Sequence, residues 1–328
     1  MSITTMTEQI FKLDESGFDA LALEVFHYQY TSNSIYQQYT DALKIKVNEV
    51  SSVRQIPFLP IQFFKTHQVV SGGIYEDMTI FESSGTTGQI NSRHFVKDTY
   101  IYEQSFRNGF QNFFGDVRQY CILGLLPSYL ERGNSSLVYM VNNLIKESGH
   151  PDSGFYLNNH QSLHDNIRSL EEAGQSSLFI GVAYALLDFA EEFSFPLHST
   201  KIIETGGMKG RREELLRDEV HQRLQTAFSL ETIYSEYGMT ELLSQAYSIK
   251  DGIFNAQPWM KVLLRDLNDP FHLSTSGKGA LNIIDLANID SCSFIATEDV
   301  GEVFSNGSFL VNGRMDNTDI RGCSLMMV

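Results

Sequence analysis

The sequence predicts an α/β protein with layered, largely parallel sheets flanked by helices and a β-rich C-terminal region. Two observations predict this class. Between Phe18 and Ala227, segments of helical periodicity alternate with short apolar runs, which is typical of strand–helix–strand units. After about residue 248 the helical pattern disappears, and short strands separated by Gly, Asn and Asp turns follow. This change predicts an α/β core over residues 1–248 and a β-rich subdomain over residues 249–328.

The predicted elements follow from local periodicity. Apolar residues at every third or fourth position predict helices, and short β-branched or apolar runs predict strands. The predicted helices are Phe18–Tyr30, Asp98–Phe114, Ser135–Glu147, Leu163–Ala173, Val182–Glu192 and Arg211–Ala227. The predicted strands are Met78–Phe81, Tyr120–Leu125, Leu178–Ile180, Lys201–Glu204, Glu231–Tyr234, Met260–Leu264, Ala280–Ile284, Ser293–Ile295, Gly301–Phe304 and Ser308–Val311.

The charge balance restricts the partners that we expect. The 328 residues include 24 Lys and Arg against 40 Asp and Glu, which gives a net charge of −16 at pH 7. This excess of negative charge, with no basic patch, argues against nucleic acid as a partner. No run approaches the roughly 18 apolar residues of a membrane span, so we expect none. Three cysteines without short spacing, and no signal-peptide pattern, predict a reducing, cytoplasmic location.

A hydroxyl-rich loop follows the first predicted strand. Glycines let backbone N–H groups turn towards a ligand, and hydroxyls add donors, so such a loop can hold a phosphate. It lacks the Gly-Lys-Ser/Thr ending of a Walker A motif, and an ordinary flexible turn is the alternative. The loop reads Ser83, Ser84, Gly85, Thr86, Thr87 and Gly88.

Two further turns follow predicted strands. In the first, the glycine pair Gly206-Gly207 lets a flat ligand approach the backbone, although strand-to-helix turns also use glycine. In the second, Tyr237 to Glu241, Thr240 and Glu241 stand side by side at the start of a predicted helix. A phosphate and a magnesium ion can both bind there. The alternative for this second turn is a plain helix N-cap.

The β-rich region contains an acidic turn and an arginine on a hairpin-like segment. Asp299 in Thr297–Gly301 and Arg314 in Gly313–Asp316 lie fifteen positions apart. A carboxylate and a guanidinium on such a segment can hold a ribose diol from two sides. Isolated structural turns are the alternative.

Taken in this order, the four motifs resemble those of the adenylate-forming superfamily, which includes acyl-CoA synthetases, non-ribosomal peptide adenylation domains and luciferases. The resemblance runs from about Phe81 to the end of the chain, and Tyr237-Gly238-Met239-Thr240-Glu241 is its most specific part. It implies the N-terminal-type core of such an enzyme. The implied reaction joins a carboxylic acid to AMP, with ATP and Mg²⁺ as cofactors and pyrophosphate as product.

The resemblance also implies a role for each matching residue. Thr240 would contact the α-phosphate, and Glu241 would be the magnesium ligand. The implied nucleotide-binding residues are Ser83–Gly88 for the phosphates, Gly206 and Gly207 for the adenine, Tyr237 with Gly238 beside the base, and Asp299 with Arg314 at the ribose.

Two departures from the superfamily pattern bear on activity. The loop continues with Ile90-Asn91 where the superfamily usually has Pro-Lys, and Arg93 is the nearest cation. The chain ends twelve residues after Asp316, where superfamily members usually continue into a mobile C-terminal domain that carries a catalytic lysine. We therefore expect that domain to be absent.

Cys323, near the C-terminus and beside Arg321, is a candidate acyl acceptor. A nearby cation lowers the pKa of a thiol, and a thiolate can accept an acyl group. This ending, with the segments 126–133 and 204–210, resembles the acyl-protein synthetase of the bacterial luminescence fatty-acid reductase complex. Members of that short branch accept the acyl group on a cysteine near the C-terminus and pass it to a reductase. A tail cysteine without function is the alternative.

Three hypotheses follow from the sequence. The first is ATP-dependent adenylation of a carboxylic acid, expected to be a fatty acid, with transfer to Cys323 and on to an acyl-accepting reductase or acyl carrier. The second is an AMP-forming acyl-CoA synthetase-like ligase that uses CoA. The third is a degenerate, non-catalytic adenylate-binding protein, motivated by the missing loop lysine and C-terminal domain.

Overall fold

The structure, a computed structural model, describes residues 3–14, 16–73, 75–83, 90–127, 133–157, 159–206 and 215–315. Several predicted site residues lie outside these ranges, namely Ser84, Gly85, Thr86, Thr87, Gly88, Gly207 and Cys323. Residues 128–132 and 207–210, in the two segments that resemble the acyl-protein synthetase branch, lie outside them as well.

Helices and strands both occur up to residue 237, and strands follow. The helices are α1 (Ile3–Ile10), α2 (Phe18–Ser32), α3 (Ser34–Ala42), α4 (Phe63–Thr66), α5 (Thr99–Phe114), α6 (Ser136–Ser148), α7 (His160–Glu172), α8 (Ala183–Glu192) and α9 (Arg217–Phe228). The strands are β1 (Leu59–Pro60), β2 (Thr79–Glu82), β3 (Arg93–Val96), β4 (Cys121–Leu125), β5 (Gly154–Phe155), β6 (Ser177–Gly181), β7 (Thr200–Glu204), β8 (Tyr234–Tyr237), β9 (Ala246–Ser248), β10 (Phe254–Asn255), β11 (Met260–Arg265), β12 (Leu273–Ser274), β13 (Gly277–Asp285), β14 (Phe294–Val303) and β15 (Phe309–Arg314).

One large sheet contains strands from both halves of the chain. Its strand order is β12-β11-β13-β14-β15-β10-β9-β8-β7-β6-β4-β5, with β1 beside β14, while β2 and β3 form a separate pair. The strands β5, β4, β6, β7 and β8 run parallel, and helices α6 to α9 connect them. The neighbours from β8 to β12 pair in antiparallel fashion. The predicted α/β class with a β-rich C-terminal region is confirmed.

The parallel strands form the buried centre of the first half. All residues of β4 and β6 are buried, as expected for a parallel sheet that helices cover on its faces. Helix α5 buries Phe106, Phe110 and Phe114 along one side. No helix in the described ranges is long and apolar enough to cross a membrane.

Two differences from the predicted boundaries change the position of site residues. The strand predicted at 231–234 is Tyr234–Tyr237, so Tyr237 ends the strand rather than following it. The predicted strands Ser293–Ile295 and Gly301–Phe304 contribute to the single strand Phe294–Val303, so Asp299 lies on a strand and not in a loop. The sequence shifts the first strand and underestimates the second, because their polar residues resemble loop residues.

The helix expected at Thr240 and Glu241 is also wrong, because these residues form a turn. Two side chains bind the backbone carbonyls that a helix would need: His94 contacts that of Thr240, and Asn288 contacts that of Glu241. The helix predicted from Arg211 begins at Arg217 in the described residues.

The boundary at residue 248 remains a prediction. Strands β9 and β10 lie on either side of it and pair directly, with Phe254 opposite Ser248. Both proposed units thus contribute neighbouring strands to the same sheet.

Candidate functional site

The side chains of Tyr237 and Asp299 are in contact, although three other strands lie between β8 and β14 in the sheet. Tyr237 ends β8 and Asp299 lies on β14, with β9, β10 and β15 between them. In a flat sheet the two strands would be about 19 Å apart, at about 4.8 Å per strand. Yet the Tyr237 hydroxyl donates a hydrogen bond of 2.7 Å to Oδ2 of Asp299. The sheet therefore curves strongly.

Aromatic rings fill the inside of this curve. The rings of Phe254 and Phe309 lie 5.7 Å and 5.5 Å from that of Tyr237, measured between centroids. The Arg217 guanidinium lies 4.8 Å from the ring centroid of Phe254. These contacts hold the Tyr237 ring in place and leave its hydroxyl at Asp299.

Arg314 faces two carboxylates. It is the cross-strand partner of Asp299, which confirms the predicted hairpin. Its Nε lies 3.4 Å from Oε2 of Glu298 and 3.8 Å from Oδ1 of Asp299. Burial raises the pKa of Asp299, and the hydrogen bond from Tyr237 opposes this rise. The structure thus brings Tyr237, Asp299 and Arg314 together.

Two buried side chains hold the turn at Thr240 and Glu241. Nδ1 of His94 lies 2.8 Å from the carbonyl oxygen of Thr240, and Nδ2 of Asn288 donates a hydrogen bond of 2.7 Å to that of Glu241. Because a carbonyl only accepts, Nδ1 of His94 carries the ring proton. Burial lowers the pKa of His94 to about 4, so the ring is neutral at pH 7. This pair fixes the direction of the turn.

Glu241 is a buried carboxylate, only 5% exposed. Burial raises its pKa, and a hydrogen bond with Ser92 opposes this rise. The Ser92 N–H donates to Oγ of Ser83 at 2.9 Å, so Ser83 lies next to the same group. Arg314 and Lys65 lower the pKa of Glu241 only as charges without a hydrogen bond.

Glu241 stays the predicted magnesium ligand. A magnesium ion is commonly held by one or two carboxylates together with substrate phosphates. Glu241 would provide one such oxygen donor. The described ranges contain no cluster of three or more His, Cys, Asp or Glu that would form a separate metal cage.

Gly206 lies at the end of β7, next to the strand of Tyr237. Its φ of +73° is in the left-handed region that favours glycine. Its N–H donates to Oε1 of the buried Glu204. Oε2 of Glu204 accepts a hydrogen bond of 3.2 Å from Ser235, and Arg217 and His221 each have a nitrogen 3.8 Å from it. The turn is therefore braced from three sides.

The sequence did not identify some residues that shape this site. His94 and Asn288 were missed because no local pattern indicates that a side chain will bind a distant carbonyl. Glu236 was missed although it directly precedes Tyr237. A charged residue inside a short apolar strand is the signal that points to it. Glu298 stands next to Asp299 and has the same type of signal.

Solved structures of adenylate-forming enzymes share this fold. A 2-hydroxyisobutyryl-CoA ligase in complex with 2-HIB-AMP and CoA is similar over 91% of this chain and 75% of its own, with a TM-score of 0.64 and 11% identity. ATP-bound MatB from Rhodopseudomonas palustris is similar over 72% of this chain and 47% of its own, with a TM-score of 0.52 and 15% identity. A luciferase-like enzyme from the mealworm Zophobas morio is similar over 75% of this chain and 60% of its own, with a TM-score of 0.50 and 15% identity.

At these identities the similarity shows the fold alone. The chain spans about half the length of the MatB structure. The described residues thus have the fold of these adenylate-forming enzymes.

The family model described as acyl-protein synthetase, LuxE, matches residues 10–328. The chain therefore belongs to the LuxE acyl-protein synthetase family, and the resemblance seen in its sequence motifs is confirmed. No curated protein matches it.

Proposed function

We propose that the protein adenylates a carboxylic acid with ATP and Mg²⁺ and then transfers the acyl group to its own Cys323. One observation carries the proposal: Tyr237, Asp299 and Arg314 come into contact across a curved sheet in a chain of this family. These groups provide an aromatic ring, a carboxylate and a guanidinium. An adenosine offers a base, a ribose diol and a phosphate to match them.

The nucleotide would bind along the ends of β7, β8 and β14. Asp299 would accept hydrogen bonds from the ribose hydroxyls, with Arg314 beside it. The adenine would lie between Tyr237 and the backbone at Gly206 and Gly207. Gly238, which is exposed, leaves the backbone open to the ligand at the end of β8. The loop Ser83–Gly88 would hold the phosphates.

The first chemical step is an attack by the carboxylate oxygen of the acid on the α-phosphorus of ATP. The bond from this phosphorus to the oxygen that bridges to the β-phosphate breaks, and pyrophosphate leaves. The Thr240 hydroxyl and the loop donors stabilise the charge on the α-phosphate oxygens. Magnesium held by Glu241 would supply further neutralisation of phosphate charge.

The second step requires a nucleophile, and the other two cysteines are poorly suited to it. Cys121 and Cys292 are both fully buried. Burial raises the pKa of the Cys121 thiol to about 11 and that of Cys292 to about 12. A thiolate is the reactive form, so neither is a good acyl acceptor at neutral pH. Cys323, beside Arg321, is the remaining cysteine of the sequence.

In this step the Cys323 sulfur attacks the acyl carbonyl, and the bond to the AMP oxygen breaks. The products are a protein thioester and AMP. We propose that a reductase or an acyl carrier then receives the acyl group. The resemblance to the luminescence fatty-acid reductase complex supports a fatty acid as substrate. Cys121 and Cys292 are free thiols, which supports a location in the reducing cytoplasm.

The intact mass of the protein tests this proposal. The protein is incubated with Mg-ATP and a mixture of carboxylic acids, and its mass is compared before and after treatment with hydroxylamine. We expect a mass increment equal to one acyl group that hydroxylamine removes. It should be absent in Cys323→Ser and retained in Cys121→Ala, the matched control at a buried cysteine.

Other outcomes identify the competing functions. Pyrophosphate release without a mass increment would contradict self-acylation and favour an external acceptor such as CoA. Nucleotide binding with no pyrophosphate release for any acid would contradict catalysis and favour the degenerate binding protein.

A further inference from the structure

The two sides of strand β8 differ in how their polar groups are used. Side chains alternate along a strand, so Ser235 and Tyr237 point to one side and Glu236 to the other. Ser235 is bound to Glu204, and Tyr237 is bound to Asp299. Glu236 has no hydrogen-bond partner among the residues that the structure describes.

Tyr247 shares this unpartnered environment with Glu236. The two residues lie directly opposite each other in the antiparallel pair of β8 and β9, so their side chains project to the same side. Glu236 is 8% exposed and Tyr247 is 3% exposed. Within the described ranges the Tyr247 hydroxyl, like the Glu236 carboxyl, has no hydrogen-bond partner. Nearby Tyr102 differs, because its hydroxyl donates to the carbonyl of Ser136 at 2.9 Å.

The carboxyl of Glu236 lies directly beneath the candidate site. A Cβ atom added to Gly238 would collide with Oε1 of Glu236. Gly238 is exposed, and it stands two residues before Thr240, the residue proposed to contact the α-phosphate. The unpartnered carboxyl is thus close to the place where the acid's own carboxylate would react.

Both groups can still form hydrogen bonds. A ligand that covered either group without bonding to it would cost roughly 1–3 kcal/mol. Burial, with the charge of Glu204, raises the pKa of Glu236 to about 8, so this carboxyl is largely neutral at pH 7. A neutral carboxyl and a phenol can each donate and accept a hydrogen bond. A hydroxyl group has the same two abilities and complements both.

We propose that Glu236 and Tyr247 bind a hydroxyl group of the acid substrate near its carboxylate, so that the preferred substrates are hydroxy acids. The inference rests on the proposed adenylation activity and names its substrate class. An alkyl chain without this hydroxyl would leave both buried groups unpaired. Sites built to bind a substrate hydroxyl discriminate strongly against analogues that lack it.

Matched acids test the proposal. Acids of several chain lengths are offered in four forms, namely unsubstituted, 2-hydroxy, 3-hydroxy and 2-amino, and kcat/KM for pyrophosphate release is measured with Mg-ATP. We expect a hydroxy form to exceed its unsubstituted counterpart by roughly tenfold or more. In Tyr247→Phe and Glu236→Leu this ratio should approach one. Two variants are used so that a folding defect in one does not decide the result.

Tyr120→Phe is the matched control, because the Tyr120 hydroxyl already donates to the carbonyl of Phe114 at 2.8 Å. It should keep the wild-type ratio. Equal rates for unsubstituted and hydroxy acids would overturn the inference and leave adenylation standing. Preference for the 2-amino form would overturn the hydroxyl assignment in favour of an amine. No pyrophosphate release with any acid would overturn the proposed function itself.

Discussion

The two sides of strand β8 carry polar groups in opposite states. On one side Tyr237 is bound to Asp299, and Ser235 is bound to Glu204. On the other side Glu236 faces Tyr247, and neither has a partner in the described part of the chain. Polar groups that fix the geometry of a site form their hydrogen bonds within the protein. Polar groups left open at the same strand end are available to a ligand, and three substitutions examine this contrast.

The largest effect is expected for Asp299→Ala, on the hydrogen-bonded side. The change removes the proposed ribose contact and leaves the Tyr237 hydroxyl without its partner. Hydrogen bonds to a charged group contribute roughly 1.5–3 kcal/mol, so we expect kcat/KM for ATP to fall by about 100-fold. Steady-state pyrophosphate release at varied ATP concentration measures it.

Glu302→Ala provides the control for this substitution. Glu302 lies on the same strand, and its carboxylate is 3.8 Å from the amino group of the exposed Lys278. It should leave kcat/KM for ATP near the wild-type value. A normal value in Asp299→Ala would show that the hydrogen-bonded side does not bind the nucleotide.

An intermediate effect is expected for Glu236→Gln, on the open side. Burial raises the pKa of Glu236 from an ordinary 4.5 to about 8 in the folded protein. Between these values the folded state holds more protons than the unfolded state, so the free energy of unfolding decreases as the pH rises from about 5 to 8. Glutamine has no such ionisation, so the variant should gain stability relative to the wild type as the pH rises towards 8.

Urea unfolding at pH 5 and pH 8 measures this gain. The difference between variant and wild type should grow with pH. In Glu302→Gln, which removes a carboxyl from a half-buried position, it should stay nearly constant. A difference that is independent of pH for Glu236→Gln would mean that this carboxyl is ionised or solvated in the folded protein.

The smallest effect is expected for Tyr237→Phe. The ring keeps its contacts with Phe254 and Phe309, and only the hydrogen bond to Asp299 is lost. We expect the free energy of unfolding to fall by about 1 kcal/mol and kcat/KM for ATP to fall about fivefold. The double variant with Asp299→Ala should be little worse than Asp299→Ala alone, because both changes remove the same bond. Full additivity would contradict this coupling.

Much of the fold was predictable from the sequence, because it depends on local patterns. Helical segments that alternate with short apolar runs indicated the parallel part of the sheet. Short strands with closely spaced turns indicated the antiparallel part. The pairing of Asp299 with Arg314 followed from a short hairpin, which is a local feature. The resemblance to the family's motifs singled out Tyr237 and Glu241, whose roles stay predictions.

What the sequence did not reveal depends on contacts between distant segments. The turn at Thr240 replaces a helix because His94, 146 positions away, contacts its carbonyl. Glu236 is significant only because Tyr247 lies opposite it and because no other described residue binds it. Neither fact is encoded in a local pattern. A strand of four residues is also too short to show its alternation clearly.

The curvature of the sheet has a consequence for the order in which the protein folds during its synthesis. Tyr237 and Asp299 are 62 positions apart, and the strands between them must pair before the two can meet. Closing such a long loop is entropically costly and comes late in folding. A growing chain therefore lacks the complete proposed nucleotide site until β14 has been synthesised and paired. Binding of nucleotide by a nascent chain would thus report that nearly the whole sheet has formed.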